Sequence, residues 1–577
     1  MSVTFNEEKK IFRLDTEKST YVMGVSPEGF LGHIYYGDRL FMEADNYLLR
    51  MEEPPYTPSV NKREKSAFLD FFPMEYPTGG IGDYRESCLN IRNAAGNMGC
   101  ELHYTGHEIY KGKKGLKGLP ASFATEDEAE TLEITLKDAD LDLEVVLSYT
   151  AFEKENVITR SVRVQNQGKE DLRIEKILSA CLDMDNENFS MLSLHGTWAR
   201  ERHIQTGELH YGKQVISSAR GESSHQEHPF IALVTNGTEQ ENGKVYAMHF
   251  VYSGNFMAET ELCQFDNLRM TMGINPEEFS WLLTPGEEFQ APEVVIVYSG
   301  NGLGAMTRSY HDFYRNHLIR SKFKYEKRPI LINNWEATYF DFNEDTIVEI
   351  AKSAKKAGIE MFVLDDGWFG TRNDDKQGLG DWFANLNKLE HGISGLSKRI
   401  EEECGMKFGL WFEPEMVNED SNLYRNHPEW ILKTPHRKSC HGRNQYILDF
   451  SNHEVVEYIA QAMMNVIDDS YISYIKWDMN RCMSEVYSST HDVSSQGRVM
   501  HEYILGVYHL YDVLTTKYPD ILFESCASGG ARFDPGMLYY APQGWVSDDS
   551  DAVERLKIQY GTSMCYPLSS MGSHVSV

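Results

Sequence analysis

Up to about residue 320, apolar and polar positions alternate in short runs. Examples are Leu132-Glu133-Ile134-Thr135-Leu136, Leu141-Asp142-Leu143-Glu144-Val145 and Thr159-Arg160-Ser161-Val162-Arg163-Val164. A period of two sends every second side chain to one face, as half-buried strands require. Asn166-Gln167-Gly168 closes the third run, and Asn236-Gly237 predicts a hairpin turn. Many short strands punctuated in this way predict a large β-sandwich.

From Gly304 to Lys327 the period lengthens, and SYHDFYRNHLIR predicts a helix followed by a basic link. After Arg328 the rhythm becomes strand, helix, strand, helix. Strands are predicted at Pro329–Trp335, Met361–Asp366, Phe408–Glu413, Ser473–Asp478, Ile521–Cys526, Trp545–Asp548 and Ser570–Val577. Amphipathic helices fall between them. In His453–Ile467, Val455, Val456, Ile459, Met463, Val466 and Ile467 form one apolar stripe, and a second helix runs from about Arg498 to Tyr518. Repeated β-α units imply a parallel sheet of the (β/α)8 TIM-barrel type. An open doubly wound sheet is the alternative, but no G-x-G-x-x-G loop follows any of these strands. Seven strands do not close the usual barrel and the chain stops inside the seventh, so a barrel truncated after that strand is expected. The expected division is residues 1–327 and 328–577.

Composition narrows the function classes. Hydrophobic residues are 41% and charged residues 25% of the chain, the balance of a globular protein, and the formal net charge is -31. A surface of that sign disfavours nucleic acid and anionic lipid, so neither is an expected partner, whereas a neutral sugar is compatible with it. No secretory signal or membrane-length apolar run is found, and the nine cysteines contain no C-x-x-C pair. A cytoplasmic chain with reduced thiols and no metal is expected.

In a TIM-type barrel, chemistry gathers at the C-terminal strand ends. That rule selects Trp335, Glu336, Asp365, Asp366, Trp411, Glu413, Lys476, Asp478, Cys526 and Asp548. Carboxylates among tryptophans suit a glycosidase, which needs two carboxyl groups flanking an oxocarbenium-like centre. In Tyr474-Ile475-Lys476-Trp477-Asp478, Lys476 and Asp478 share a strand face, so the cation is expected to keep the acid ionised as a nucleophile; a structural ion pair is the competing reading. In Ser547-Asp548-Asp549-Ser550-Asp551 the crowded charges suit a proton donor, while Asp551 reads as the N-cap of a helix starting near Ala552. Asp365-Asp366 could by composition hold a metal, although a hydroxyl-binding pair is more economical. Glu413-Pro414-Glu415 is a rival acid pair or a brace for the barrel mouth.

Five segments carry a resemblance: LDDGWFG (364–370), FGLWFEPEM (408–416), YIKWDMNR (474–481), ESCASGGARFDPGM (524–537) and GWVSDDSDAVERL (544–556). Together they resemble the glycoside hydrolase family 36 α-galactosidases over nearly the whole chain. The resemblance implies a multidomain chain, an N-terminal β-supersandwich followed by the barrel, and a retaining α-galactosidase without a cofactor. It assigns Asp478 as nucleophile and Asp548 as acid/base. It gives Asp365 and Asp366 the galactose O4 and O6, and makes Trp411, Arg443, Lys476, Cys526 and Gly529 further sugar contacts. Cys526 and Gly529 fall near the 2-hydroxyl, and Trp335 and Trp545 become pocket walls. Asp549 stands where many relatives have Asn, which makes it a minor rival to Asp548. Relatives usually continue into an eighth strand and a C-terminal β domain. They are often tetramers, with Gly82-Asp83-Tyr84-Arg85 and Tyr36-Gly37-Asp38 as candidate loops toward a neighbour. The expected partner is an oligosaccharide with terminal α-galactose, such as melibiose or a raffinose-family sugar. Galactosyl transfer, α-N-acetylgalactosaminidase activity and sugar binding without turnover are the alternatives.

Overall fold

The computed structural model describes residues 2–42, 49–58 and 68–575. Up to Ser299 the strands form sheets of four, six and ten, with antiparallel pairing between named strands. The alternation read from sequence is realised in strand Glu130–Asp138, where buried Leu132, Ile134 and Leu136 alternate with partly exposed Glu133, Thr135 and Lys137. Its partner Leu143–Phe152 is buried along most of its length, as a central strand covered on both faces must be. That partner starts two positions later than predicted because Asp142 turns the chain with φ 49°. Gly237 does take a turn conformation (φ 74°), but within a longer connection between Glu227–Val234 and Val245–Val251 instead of a two-residue hairpin.

Val162 and Val164 of the ten-stranded sheet share one core with Ile174, Leu182 and Met270 of the six-stranded sheet, which gives the sandwich. Each such side chain contributes about 1.5–3 kcal/mol by leaving water. The predicted linking helix is Gly302–His317. Its Met306, Tyr310, Phe313 and Tyr314 join Phe230, Val295 and Val297 of the sandwich to Val546, Ile558 and Tyr566 of the last β-α units. The β-rich half is thereby packed directly against the loops that follow the sixth parallel strand.

The second half holds a seven-stranded sheet: Leu331–Asn333, Met361–Leu364, Lys407–Phe412, Ile472–Trp477, Leu522–Ser525, Gln543–Trp545 and Met571–Gly572. Every neighbouring pair is parallel and spatial order follows chain order. A doubly wound sheet requires a reversal of strand order, and none is present among the described residues, which removes that alternative. All seven C-terminal ends face one way, and this is what assembles a site. The third and fourth strands have the predicted length but begin and end one residue earlier, and the other five are shorter than predicted. Trp335 opens a short helix, Trp335–Thr338, instead of ending a strand, and Asp548 lies in the loop beyond strand six. The seventh strand covers only two residues of the predicted Ser570–Val577, of which 576 and 577 lie outside the described residues. Helix His453–Asp468 buries the predicted stripe except for Val466, which is half-buried, and the next long helix is Val499–Lys517. No helix among the described residues is long and apolar enough to cross a membrane.

Candidate active site

Strand four delivers Asp478. Its backbone N–H donates to the Phe412 carbonyl at 2.8 Å, continuing the parallel ladder one residue past the strand. The carboxylate is buried, and both of its oxygens are held by donors. Oδ2 accepts from Asn480 Nδ2 (2.8 Å) and the Trp411 indole (3.2 Å), and Oδ1 from the backbone N–H groups of Met479 (2.9 Å) and Ser528 (3.4 Å). Burial would raise its pKa, but Lys476, hydrogen bonds from Asn480 and Cys526, and the charge of Arg443 outweigh burial and hold it below the usual carboxylate value. The result is an ionised, immobilised carboxylate.

The lysine does not act as the expected direct partner. Lys476 Nζ pairs with Asp365 Oδ2 at 3.2 Å, so its effect on Asp478 is through space. Burial opposes the ammonium, yet Asp365 and its other neighbours keep it well above its ordinary pKa. Asp365 follows strand two and also accepts from Asn333 Nδ2 at 2.5 Å, while the Asn334 side chain takes its backbone N–H. Asp366 is engaged more strongly than the sequence suggests: Arg372 grips both of its oxygens at 2.5 and 2.7 Å. Burial still raises the Asp366 pKa despite that guanidinium. A carboxylate offers about four lone-pair sites, so both aspartates retain acceptor capacity for hydroxyls.

The rim opposite is made by the loop after strand six. Asp548 is exposed, and its two oxygens each accept an indole N–H, Oδ1 from Trp545 (3.1 Å) and Oδ2 from Trp198 (3.0 Å). Trp545 is half-buried, with Lys476 Nζ 5.6 Å from its ring centre. Asp549 accepts the Asp551 N–H at 2.7 Å, and Asp551 caps helix Ala552–Ser563 through the N–H groups of Val553 and Glu554. The cap reading of Asp551 therefore holds, and Asp549 is engaged in shaping the turn.

The segment Cys526–Gly530, after strand five, touches both acids. Cys526 is buried against Asp478 with Asp548 nearby; burial and these charges push its thiol well above the ordinary range, so it is no thiolate nucleophile. Gly529 has φ 84°, and a Cβ there would stand 2.8 Å from both Asp548 N and Glu201 Oε1. Only glycine lets the segment pass under the acid's loop.

The rival acids have structural duties. Glu415 is buried in a bidentate pair with Arg532 (2.6 and 2.9 Å) and also accepts from Trp477 and Tyr503. Glu413 accepts the Asn480 N–H at 2.7 Å and Gln445 Nε2 at 3.0 Å, bracing the segment that carries Asp478. Its burial beside Asp478 raises its pKa to about 8. Arg443 is exposed and adds positive charge felt by Asp478, Asp366 and Glu413. Trp411 is buried, and half-buried Trp335 packs edge-on against Tyr339 and Phe340. His453, Glu457 and His509 have metal-ligand spacing but lie on exposed helix faces, not at strand ends.

Sequence reasoning missed Asn480, Ser528, Arg372 and Trp198. Asn480 was open to detection, two residues beyond Asp478 in the same motif. Trp198 had no local signal.

Comparison with known proteins fits this arrangement. The Melibiase family profile matches residues 288–577, and that of the glycosyl hydrolase family 36 N-terminal domain matches residues 29–284. The chain belongs to glycosyl hydrolase family 36. Among curated members of family 36, it is 49% identical over 577 residues to α-galactosidase AgaA of Geobacillus stearothermophilus, spanning all of this chain and 79% of that protein. It is 44% identical to α-galactosidase Mel36A of Lactobacillus acidophilus, again with all of this chain and 79% of the relative covered. The crystal structure of AgaB from G. stearothermophilus superposes with a TM-score of 0.97 at 50% identity, covering all of this chain and 79% of that one. A variant of AgaA in complex with raffinose superposes equally well, at 0.97 and 49% identity over 98% of this chain and 79% of that one.

Proposed function

We propose that this family 36 enzyme hydrolyses terminal α-galactosides with retention of configuration, Asp478 acting as nucleophile and Asp548 as acid/base. The observation that carries the assignment is the contrast between a buried, ionised Asp478 and an exposed Asp548 that share the Cys526–Gly530 segment. In the first step Asp548 protonates the glycosidic oxygen and an Asp478 oxygen attacks the anomeric carbon, expelling the aglycone and forming a β-galactosyl ester. In the second, water attacks that carbon as Asp548 takes its proton, releasing α-galactose and free Asp478. Retention sets the expected separation of the two carboxyl groups at about 5–5.5 Å.

Asp365 and Asp366 supply acceptors for O4 and O6, with Trp335 and Trp545 as walls. Trp411, Arg443, Lys476, Cys526 and Gly529 complete the sugar contacts. Glucose, with an equatorial O4, would leave a buried carboxylate short of a partner, which costs more than a lost contact. The buried Cys526 and the glycine at 529, which the family resemblance puts beside the 2-position, favour a plain 2-hydroxyl over an N-acetyl group. Raffinose-type sugars are the proposed substrates, in line with the AgaA complex. We also assign residues 1–327 to the β-supersandwich and 328–577 to a barrel of the (β/α)8 type. A cytoplasmic homo-oligomer is the proposed working form. Of the loops suggested for contact with a neighbour, Asp83 and Arg85 are buried in an internal ion network with Asp183 and Arg269, and Tyr36 and Gly37 are buried, which leaves exposed Tyr84 and Asp38 to reach out.

The test is proton NMR of raffinose cleavage: α-galactose is expected to appear first and to mutarotate later. β-Galactose appearing first, or transfer products exceeding free galactose, would overturn the hydrolytic double displacement.

A further inference from the structure

The loop bearing Asp548 is contacted by a β-hairpin from the N-terminal half of the chain. Strands Ser190–Thr197 and Arg200–Glu208 are joined by the two-residue turn Trp198-Ala199, with Thr197 paired to Arg200 and Ala199 at φ 63°. The hairpin is anchored just behind its tip. Buried Arg202 donates to the Gly530 and Val546 carbonyls at 2.8 and 2.5 Å and to Thr562 Oγ1 at 2.8 Å. Buried Glu201 accepts the Gly530 N–H at 3.3 Å, and its Oε1 lies where a side chain at Gly529 would go. Gly530 and Val546 flank the segments that hold Asp478 and Asp548, so this base registers the hairpin against both. The tip is different. Trp198 is 60% exposed, an uncommon place to leave an indole, and the polar contact of its ring is the 3.0 Å hydrogen bond to Asp548 Oδ2.

We propose that Trp198 is a positioning residue for the proton donor, acting across the interface between the two halves of the chain. The inference rests on the acid/base assignment of Asp548 made above. An exposed aspartate on a loop would otherwise sample several rotamers, and proton transfer needs the donor within about 2.6–3.2 Å of the glycosidic oxygen. Two indole N–H groups, from Trp545 and Trp198, fix the carboxyl plane by taking one lone pair on each oxygen. A lone pair on each oxygen remains for the proton that is delivered and later recovered. Trp545 belongs to the same loop and moves with it. Trp198 is held by the anchored hairpin, and so ties the donor to an external frame.

The experiment compares kcat/KM for raffinose, whose leaving group needs protonation, with that for α-galactosyl fluoride, whose fluoride leaves without it. Trp198→Phe keeps an aromatic ring and removes the N–H. Its raffinose kcat/KM is expected to fall about tenfold or more, part of the 10²–10⁴ that general acid catalysis supplies. Its value for the fluoride should stay within about threefold of wild type. A parallel fall on both substrates would reduce Trp198 to a binding or structural residue, and no fall on either would remove it altogether. Asp548→Ala provides the reference: the same selectivity, but larger. Should Asp548→Ala lack that selectivity, the acid assignment fails and this proposal with it, whereas a selective Asp548→Ala beside an unselective Trp198→Phe refutes the proposal alone.

Discussion

The floor of the site and its rim hold the same residue type in opposite surroundings. Asp478 lies buried just past the end of a central strand, with its donors coming from strand three, from the two residues that follow Asp478 and from the segment after strand five. Asp548 stands exposed on a loop, held by two tryptophans of which one comes from the other half of the molecule. The sheet's regular ladder suffices to fix a nucleophile, because a strand end places its next residue rigidly. A reversible proton donor must keep contact with solvent and leaving group, so it sits on a loop and is steadied from outside. Rigidity comes from the sheet, and access from the interface.

That contrast can be tested in order of effect. Asp478→Ala should lower kcat/KM by about 10⁴-fold or more on every galactoside, activated or not, since no other ionised carboxylate occupies its place. Equal loss on poor and activated leaving groups is the mark of the floor. Asp548→Ala should cost about 10²–10⁴-fold on raffinose and far less on galactosyl fluoride, the mark of the rim. If the two variants showed the same leaving-group dependence, the division of labour would be lost.

Gly529→Ala sharpens the comparison by disturbing the segment common to both acids. Forcing alanine to φ 84° costs about 1–2 kcal/mol, before the clash with Asp548 N and Glu201 is counted. Thermal unfolding should shift downward and activity should fall on both substrate types. An alanine variant with wild-type kinetics would show that the close passage under Asp548 is unimportant.

The smallest expected effect is at Glu413. In the folded chain it keeps its proton up to about pH 8, against an ordinary value of 4.5. Between those values the folded state binds more protons than the unfolded, so this group's stabilising contribution is complete at low pH and is lost as pH rises toward 8. Glu413→Gln should therefore show a flatter decline of melting temperature from pH 5 to 8 than wild type. An identical slope would indicate that Glu413 titrates normally.

Much of the floor was legible in sequence because its logic is local. A period of two placed Lys476 and Asp478 on one face, strand-end counting found Asp365, Asp366 and Trp411, and Asp551 was readable as a cap. The ion pairing was not, since periodicity gives a face and not a partner: Lys476 turned to Asp365, and Arg372 took Asp366. The rim was half-legible. Trp545 and Asp548 sit in one motif, but Trp198 is 350 positions from the acid it touches, and no local pattern encodes that meeting. Five of the seven parallel strands were predicted too long for a related reason. Trp335 and Asp548 continue the apolar or motif pattern beyond the residues that actually pair.

The most direct measurement is to trap the covalent intermediate with an activated 2-deoxy-2-fluoro galactoside and to sequence the labelled peptide by mass spectrometry. The label is expected on Asp478, as an ester. A label on Asp548, Glu413 or Asp366, or turnover without any covalent adduct, would contradict the assignment of the buried strand-end carboxylate as nucleophile.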